Sequence, residues 1–493
     1  MDPMVTVAQG QLRGHEKDGV RSFLGIPYAD EPFGERRFAA PAPARAWSGI
    51  REATEFGATA PKPGYAPPID ALLPDPQVAG QGCLNLNVWT PQDAADLPVL
   101  VWIHGGAFVN GSGAVPIYDG TAFARDGVVC VSINYRLGVD GFGAVTDAVP
   151  NRGLLDQVAA LTWVRDNIAQ FGGDPGRVTI AGESAGAMSI GTLLSMPLAE
   201  GLFRRAILQS GAGHHTLTPA TAGRVIADVA HRLGVEPTAS GLGSVPVADL
   251  VAAQAAVSES ILTAPDPARW AEITVNLMAF EPIVDGDIVP RRPIDAIVGG
   301  ASADIEVLVG SNLDEHALFL VPNGFAAMVD ENLLRSMLPA LGADAATLID
   351  TYRSDRTDAT PGELMTAIYT DWFFRLPAVR LAEARSALGL DTHSYEFAWR
   401  SPQFDGALGA CHALEIGFTF DNLADPQGRP MTGDHPPQAL ADSMHAAWVS
   451  FIREGRPGWP PYGAERNVMR FDETNALVSD PRPAERSVWA GIR

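Results

Sequence analysis

The sequence predicts an α/β protein built on a mainly parallel sheet flanked by helices. Three observations carry this. Residues 99–103 and 128–134 are near-continuous apolar runs, the composition of strands covered on both faces. Leu154, Val158, Leu161, Val164 and Ile168 recur at steps of four and three, the period of an amphipathic helix. Strand and helix patterns then alternate along most of the chain.

The elements follow in order. Residues 6–14 alternate and predict a first strand, with residues 20–26 as its hairpin partner. A Pro- and Gly-rich stretch spans residues 27–76. Further strands are expected at 84–89, 99–103 and 128–134, then the helix through 154–168. Asp174-Pro175-Gly176 ends the connection before a short buried strand at 177–181. Residues 185–194 are small and apolar and predict a helix. Next come a strand at 205–209, a helical insertion at 219–264, a strand at 306–310 and a mostly helical stretch at 345–388. A strand at 394–399 and an amphipathic helix at 439–453 complete the list. No internal repeat or flexible linker divides the chain, so one domain over residues 1–493 is expected. Its helical insertions should cap the carboxyl edge of the sheet, where α/β folds bind ligands.

Composition narrows the class. Of the 493 residues 46% are hydrophobic, enough for a large core. Lys and Arg number 35 against 58 Asp and Glu, a formal charge of -23. That field opposes nucleic acid and anionic membranes and favours neutral or cationic small molecules. No run of about 18 apolar residues occurs, and residues 1–19 lack a basic segment followed by an apolar one. A cytoplasmic protein, monomeric or a small homo-oligomer, is expected. Cys83, Cys130 and Cys411 fit no metal spacing and cannot pair completely.

The chemistry is concentrated in Gly182-Glu183-Ser184-Ala185-Gly186, with a strand before it and a helix after it. A serine on a sharp strand-to-helix turn is held in a strained conformation that exposes its hydroxyl. The helix N-terminus supplies N–H groups and a positive dipole end beside it. Ser184 is therefore the candidate nucleophile, and the Ala185 N–H part of an oxyanion site. His104-Gly105-Gly106-Ala107 follows the strand at 99–103. Two consecutive glycines leave N–H groups unobstructed, which acyl transfer needs where a tetrahedral oxyanion forms. Gly105 and Gly106 are the candidates. His104 is rejected as base, because this arrangement places the base after the nucleophile and the acid.

The acid should lie beyond a late strand, and Asp314 and Glu315 after residues 306–310 both qualify. Asp285 and Asp287 read as a turn. Of the later histidines, His316 is too close in sequence to pair easily with either acid, His393 starts a strand, His445 lies on a helix and His435 sits in a polar loop. His412 lies in a glycine-bearing loop whose small neighbours permit close approach. Pattern alone does not single out His412 from the others and does not choose between the two acids.

With these residues in hand, the chain resembles the type-B carboxylesterases, a family spanning bacterial carboxylesterases, p-nitrobenzyl esterases and the cholinesterases. The resemblance runs nearly the whole length. It rests on Phe23-Leu24-Gly25-Ile26-Pro27-Tyr28-Ala29, Cys83-Leu84-Asn85-Leu86-Asn87-Val88-Trp89, His104 to Phe108, Asn134-Tyr135-Arg136-Leu137-Gly138, Phe171-Gly172-Gly173-Asp174-Pro175, Gly182 to Gly186, Leu208-Gln209-Ser210-Gly211, Gly310 to Glu315 and Gly409 to Phe420. It implies an α/β-hydrolase fold, ester hydrolysis without metal or organic cofactor, and a Ser184-Glu315-His412 triad. The acid is implied by an Asp-Glu-Gly matched by Asp314-Glu315-His316, and the base by a G-x-x-H matched by Gly409-Ala410-Cys411-His412. Ser210 either supports the acid by a hydrogen bond or is a satisfied serine at a strand end. Phe108, Leu318, Phe319 and Phe418 are the candidate pocket walls.

Three departures stand out. His316 replaces the family's glycine, which puts the bend of the acid loop in question. Gly80-Gln81-Gly82 stands where the family often has Ser-Glu-Asp, which would leave Arg37 without its usual carboxylate. The cysteine that usually pairs with Cys83 is replaced near Ala60, so no loop disulfide is expected. A carbamate or amide hydrolase on the same residues is the alternative. A binding protein of this fold that has lost its serine is another, disfavoured because all three positions are filled.

Overall fold

A computed structural model describes residues 2–492. Its strands are Met4–Val7 (β1), Gly10–Arg13 (β2), His15–Lys17 (β3), Val20–Pro27 (β4), Ile50–Glu52 (β5), Asn85–Pro91 (β6), Leu97–Ile103 (β7), Val129–Ile133 (β8), Gly173–Glu183 (β9), Arg205–Gln209 (β10), Glu306–Asn312 (β11), Thr392–Phe397 (β12), Asn467–Phe471 (β13) and Ala476–Ser479 (β14). Among the described residues they form two sheets. β1, β2 and β5 make a small one. The other eleven strands run in the order β14-β13-β12-β11-β10-β9-β7-β8-β6-β4-β3. From β8 through β13 neighbours are parallel, and both flanks are antiparallel.

Side-chain alternation splits the core into two halves, one on each face of the large sheet. Val101, Ile180, Ala206, Leu208, Val307 and Val309 point into one. Trp102, Ala181, Ile207, Leu308 and Tyr395 point into the other. Both faces are covered by helices, so the central strands can be apolar throughout. The longer helices are Arg152–Asn167 (α1), Ala185–Leu193 (α2), Pro219–Leu233 (α3), Val247–Thr263 (α4), Pro361–Thr370 (α5), Leu376–Ala387 (α6) and Gln438–Glu454 (α7). Between α5 and α6 the chain makes one π-helical turn, Asp371–Arg375. No helix among the described residues is long and apolar enough to cross a membrane.

Several expectations need correction. The strand expected over 6–14 is a hairpin, because Ala8 and Gln9 form a two-residue turn that pairs Val7 with Gly10. The partner expected for it, β4, instead pairs with β3 and β6. Asp174-Pro175-Gly176 lies inside β9, at an irregularity in its pairing with β7 that accommodates the proline. The hairpin β13–β14 was not foreseen: its Asn467-Val468-Met469-Arg470-Phe471 lacks clean alternation and is only partly buried.

Register places the site. Ile103 at the end of β7 pairs with Gly182, and Glu183 at the end of β9 pairs with Gln209. The loops after β7, β9, β10 and β11 therefore emerge together at the carboxyl edge of the sheet, beside the point where strand order reverses around β7.

Candidate active site

Ser184 links β9 to α2 with φ 56° and ψ -125°. A non-glycine residue at positive φ costs roughly 1–3 kcal/mol and persists only where its surroundings enforce it. Here Ser184 N donates to Gln209 O at 2.9 Å, and Ser184 O accepts from Met188 N at 2.9 Å. The turn can close because its neighbours lack side chains: a Cβ at Gly186 would lie 2.0 Å from Ile103 O.

The loop after β7 folds back against this turn. A Cβ at Gly105 would lie 3.0 Å from the Ser184 Cβ, so only a bare backbone can come this near the hydroxyl. Gly106 has φ +113°, and a Cβ there would strike Asn110 O at 2.2 Å. Ala107 and Phe108 also have positive φ. Val109 N and Asn110 N both donate to Gly106 O, at 3.0 and 2.8 Å, closing the turn. Ala185 is the first residue of α2, where N–H groups have no partner within the helix. His104 is buried, stacks on Tyr135 and keeps Nδ1 2.8 Å from Gly105 O. Burial pushes its imidazole down to about 3. Stacked and hydrogen-bonded in this way, it braces the loop.

His412 and Glu315 meet across the carboxyl edge. His412 Nδ1 lies 2.6 Å from Glu315 Oε2, and both residues are buried. The other Glu315 oxygen accepts from Asn312 N at 2.7 Å. His412 N in turn donates to Glu315 O at 3.2 Å. Asp314 points elsewhere: it accepts from Ala410 N at 3.0 Å and pairs with Arg400 at 2.8 Å. The geometry thus separates two adjacent acids that pattern could not. Replacing glycine by His316 does not turn Glu315 away.

His412 sits among three buried carboxyl groups, two of which sequence reasoning missed. Its Nε2 lies 3.1 Å from Glu183 Oε1. Behind Glu315, the Glu415 carboxylate accepts from Asn312 Nδ2 at 2.6 Å and Gln209 Nε2 at 3.1 Å, and Trp448 Nε1 donates to Gln209 Oε1 at 2.9 Å. Burial alone would push His412 down, but the Glu183 and Glu315 carboxylates outweigh it and raise the imidazole to about 9. Burial raises Glu183 to about 8, opposed by His412 and reinforced by Glu415 and Glu315. Burial and the Glu315 charge raise Glu415 to about 7. Glu183 stood in plain view as the second residue of the pentapeptide, and Glu415 three residues beyond His412 on the same turn.

Ser184, Glu183, Gly105, Gly106 and His412 all line one cavity of about 580 Å³. Of the expected walls Phe319 lines it. Phe108, Leu318 and Phe418 do not: each is fully buried, Phe108 against Phe142 at 4.7 Å and Phe418 against Phe397 at 5.1 Å between ring centres. They belong to the core, Phe108 to the cluster on one face of the sheet and Leu318 and Phe418 to the cluster on the other. The unforeseen walls include Tyr118, Met188, Phe373 and Phe374, the last two presented by the π-helical turn. The Phe374 ring lies 4.6 Å from the His412 ring. His316 also lines the cavity, between Phe319 and Tyr369, with Nδ1 buried and unpartnered. Burial, then the His412 charge, pushes its imidazole down to about 3.

The remaining expectations resolve simply. Ser210 Oγ is buried without a hydrogen-bond partner, so it neither supports the acid nor is a satisfied serine at a strand end. Arg37 keeps a carboxylate: its Nε lies 2.9 Å from Asp140 Oδ1. All three cysteines are free and buried. His393 is buried in β12, His435 is exposed, and His445 is held by Thr419 O at 2.8 Å.

Residues 1–489 match the model of the carboxylesterase family. The chain belongs to that family. It is 36% identical over 502 residues to the para-nitrobenzyl esterase of Bacillus subtilis, covering 98% of this chain and 97% of that one. It is 37% identical over 480 residues to phenmedipham hydrolase of Pseudarthrobacter oxydans, covering 94% and 93%. Among solved structures, the Geobacillus stearothermophilus carboxylesterase at pH 6.2 superposes with a TM-score of 0.85 at 38% identity over 99% of both chains. The fold is that of the α/β-hydrolases, and membership makes the chain a hydrolase of carboxylic esters.

Proposed function

We propose that this carboxylesterase cleaves neutral esters with apolar acyl and alcohol parts, through an acyl-enzyme on Ser184. The observation that carries the reading is the single cavity that holds Ser184, His412 and the glycine pair, with Glu315 seated behind the imidazole. Its walls are mainly apolar, and its volume of about 580 Å³ falls in the range that encloses a small organic molecule.

The meeting of these residues in one cavity supports the following reaction. His412 Nε2 takes the Ser184 proton as Oγ attacks the ester carbonyl carbon. The carbonyl oxygen becomes an oxyanion, held by the N–H groups of Gly105, Gly106 and Ala185. Glu315 accepts from Nδ1–H, fixes the tautomer and stabilises the imidazolium. The alcohol leaves with the proton from Nε2, and water repeats the sequence on the acyl-enzyme. The three free cysteines support a reducing, cytoplasmic setting.

Turnover of p-nitrophenyl esters from acetate upward, beside a matched aryl carbamate, tests this. The expected result is kcat/KM rising from acetate to medium acyl chains, with the ester well ahead of the carbamate. A second reading, carbamate or amide hydrolysis on the same residues, is supported by the relative named for phenmedipham. A carbamate turned over as fast as the ester would establish it in place of the first.

A further inference from the structure

The loop over residues 59–78 closes on itself, with Thr59 N donating to Val78 O at 3.0 Å and Val78 N to Thr59 Oγ1 at 3.2 Å. It carries Tyr65, Leu72, Leu73 and Pro74 to the cavity wall. Beneath it lies a buried ion pair. Lys62 and Asp75 are in direct contact, with side chains only 1% and 6% exposed. The Lys62 ammonium makes one further bond, to Gly111 O at 3.1 Å.

Gly111 lies further along the loop that begins at His104 after β7. A Cβ there would lie 2.3 Å from Gly105 O and 2.6 Å from His104 Nδ1, so its backbone is pressed against the residues carrying the candidate oxyanion N–H groups. Lys62 is close enough for its charge to disfavour protonation of His104. A buried ion pair adds little net stability over an apolar pair of equal volume, because desolvation offsets the attraction. Stability alone therefore gives no reason to bury an ammonium here. An apolar pair, however, would leave the Gly111 carbonyl without its donor.

We propose that Lys62 is a positioning residue: neutralised by Asp75, its ammonium ties the wall loop to the Gly111 carbonyl and holds the Gly105 and Gly106 N–H groups in register with Ser184. The proposal rests on the reading of those N–H groups as the oxyanion site. The bond joins two walls of the cavity, so the same clasp sets the distance between the wall loop and the reacting carbonyl.

The test compares Lys62→Met, Asp75→Asn and the double variant Lys62→Met/Asp75→Leu with the parent protein. Three quantities are measured: Tm, kcat and KM on p-nitrophenyl butanoate, and the rate of inactivation by a fluorophosphonate. Both single variants should lower Tm, since each disturbs a buried charge pair. Lys62→Met should also lower kcat and the inactivation rate by about tenfold or more with little change in KM, because displaced donors weaken the transition state. Asp75→Asn leaves the bond to Gly111 and should keep the larger part of kcat. The double variant should recover part of the Tm lost in Lys62→Met, since it removes the unpaired Asp75 carboxylate, without recovering kcat. Recovery of kcat together with Tm, or equal losses of kcat in Lys62→Met and Asp75→Asn, would overturn the proposal. Failure of the parent protein to react with the fluorophosphonate would instead count against the nucleophile reading.

Discussion

Glu315→Gln and Asp314→Asn make similar chemical changes at adjacent positions, and the structure predicts opposite outcomes. Glu315 Oε2 lies 2.6 Å from His412 Nδ1, and unit charges at that separation attract by about 6 kcal/mol at an effective dielectric of about 20. Glutamine removes that attraction for the imidazolium. It also disturbs the tautomer. The glutamine carbonyl will take the place of Oε1, which accepts from Asn312 N at 2.7 Å, and this turns the NH2 toward Nδ1. The ring must then carry its proton on Nε2, where the base needs a lone pair. The expected loss in kcat is about 10³–10⁴, or about 4–5.5 kcal/mol. Asp314→Asn removes a partly exposed pair with Arg400 and keeps an acceptor for Ala410 N. Its expected cost is about 0–1 kcal/mol of stability, with kcat within about threefold of the parent. Steady-state kinetics on a p-nitrophenyl ester, with thermal melts as a fold control, decide the matter. A larger kcat loss in Asp314→Asn would show that the acid is misassigned.

Three further outcomes are expected. Gly106→Val should lower kcat by about 10² or more, because φ is +113° and the new Cβ would meet Asn110 O at 2.2 Å; an unchanged kcat would move the oxyanion site elsewhere. Glu183→Gln should shift the acidic limb of kcat/KM to lower pH. Glu183 is one of the carboxylates that raise His412 to about 9, the base works only when neutral, and removing that charge lets it lose its proton earlier; a limb that stays in place or moves up contradicts the electrostatics. Mild reductant should leave Tm and activity unchanged, since Cys83, Cys130 and Cys411 are free, whereas a large drop in Tm would reveal a disulfide.

Much of this was legible in the sequence because single residues carried strong local signals. A serine flanked by glycines between a strand and a helix could only be a sharp turn, and apolar runs marked the central strands. The position of Glu315 behind His412 was legible only through family resemblance. Which of two adjacent acids points inward depends on how the loop returns from β12, a long-range fact. Glu183 and Glu415 were missed for a related reason: a buried carboxylate looks like any surface acid until its neighbours are known. The pocket walls were the weakest expectation. Phe108, Leu318 and Phe418 neighbour functional residues in sequence but face the core, while Phe373 and Phe374 reach the cavity from a distant π-helical turn.

The central claim is that Ser184 is the nucleophile. Intact-mass and peptide mass spectrometry after fluorophosphonate treatment test it most directly, with Ser184→Ala as control. The account predicts one adduct, on Ser184, activity lost in step with labelling, and a Ser184→Ala protein that keeps its Tm but loses about 10⁵ or more in kcat. An adduct on another residue, or Ser184→Ala activity within about tenfold of the parent, would contradict it.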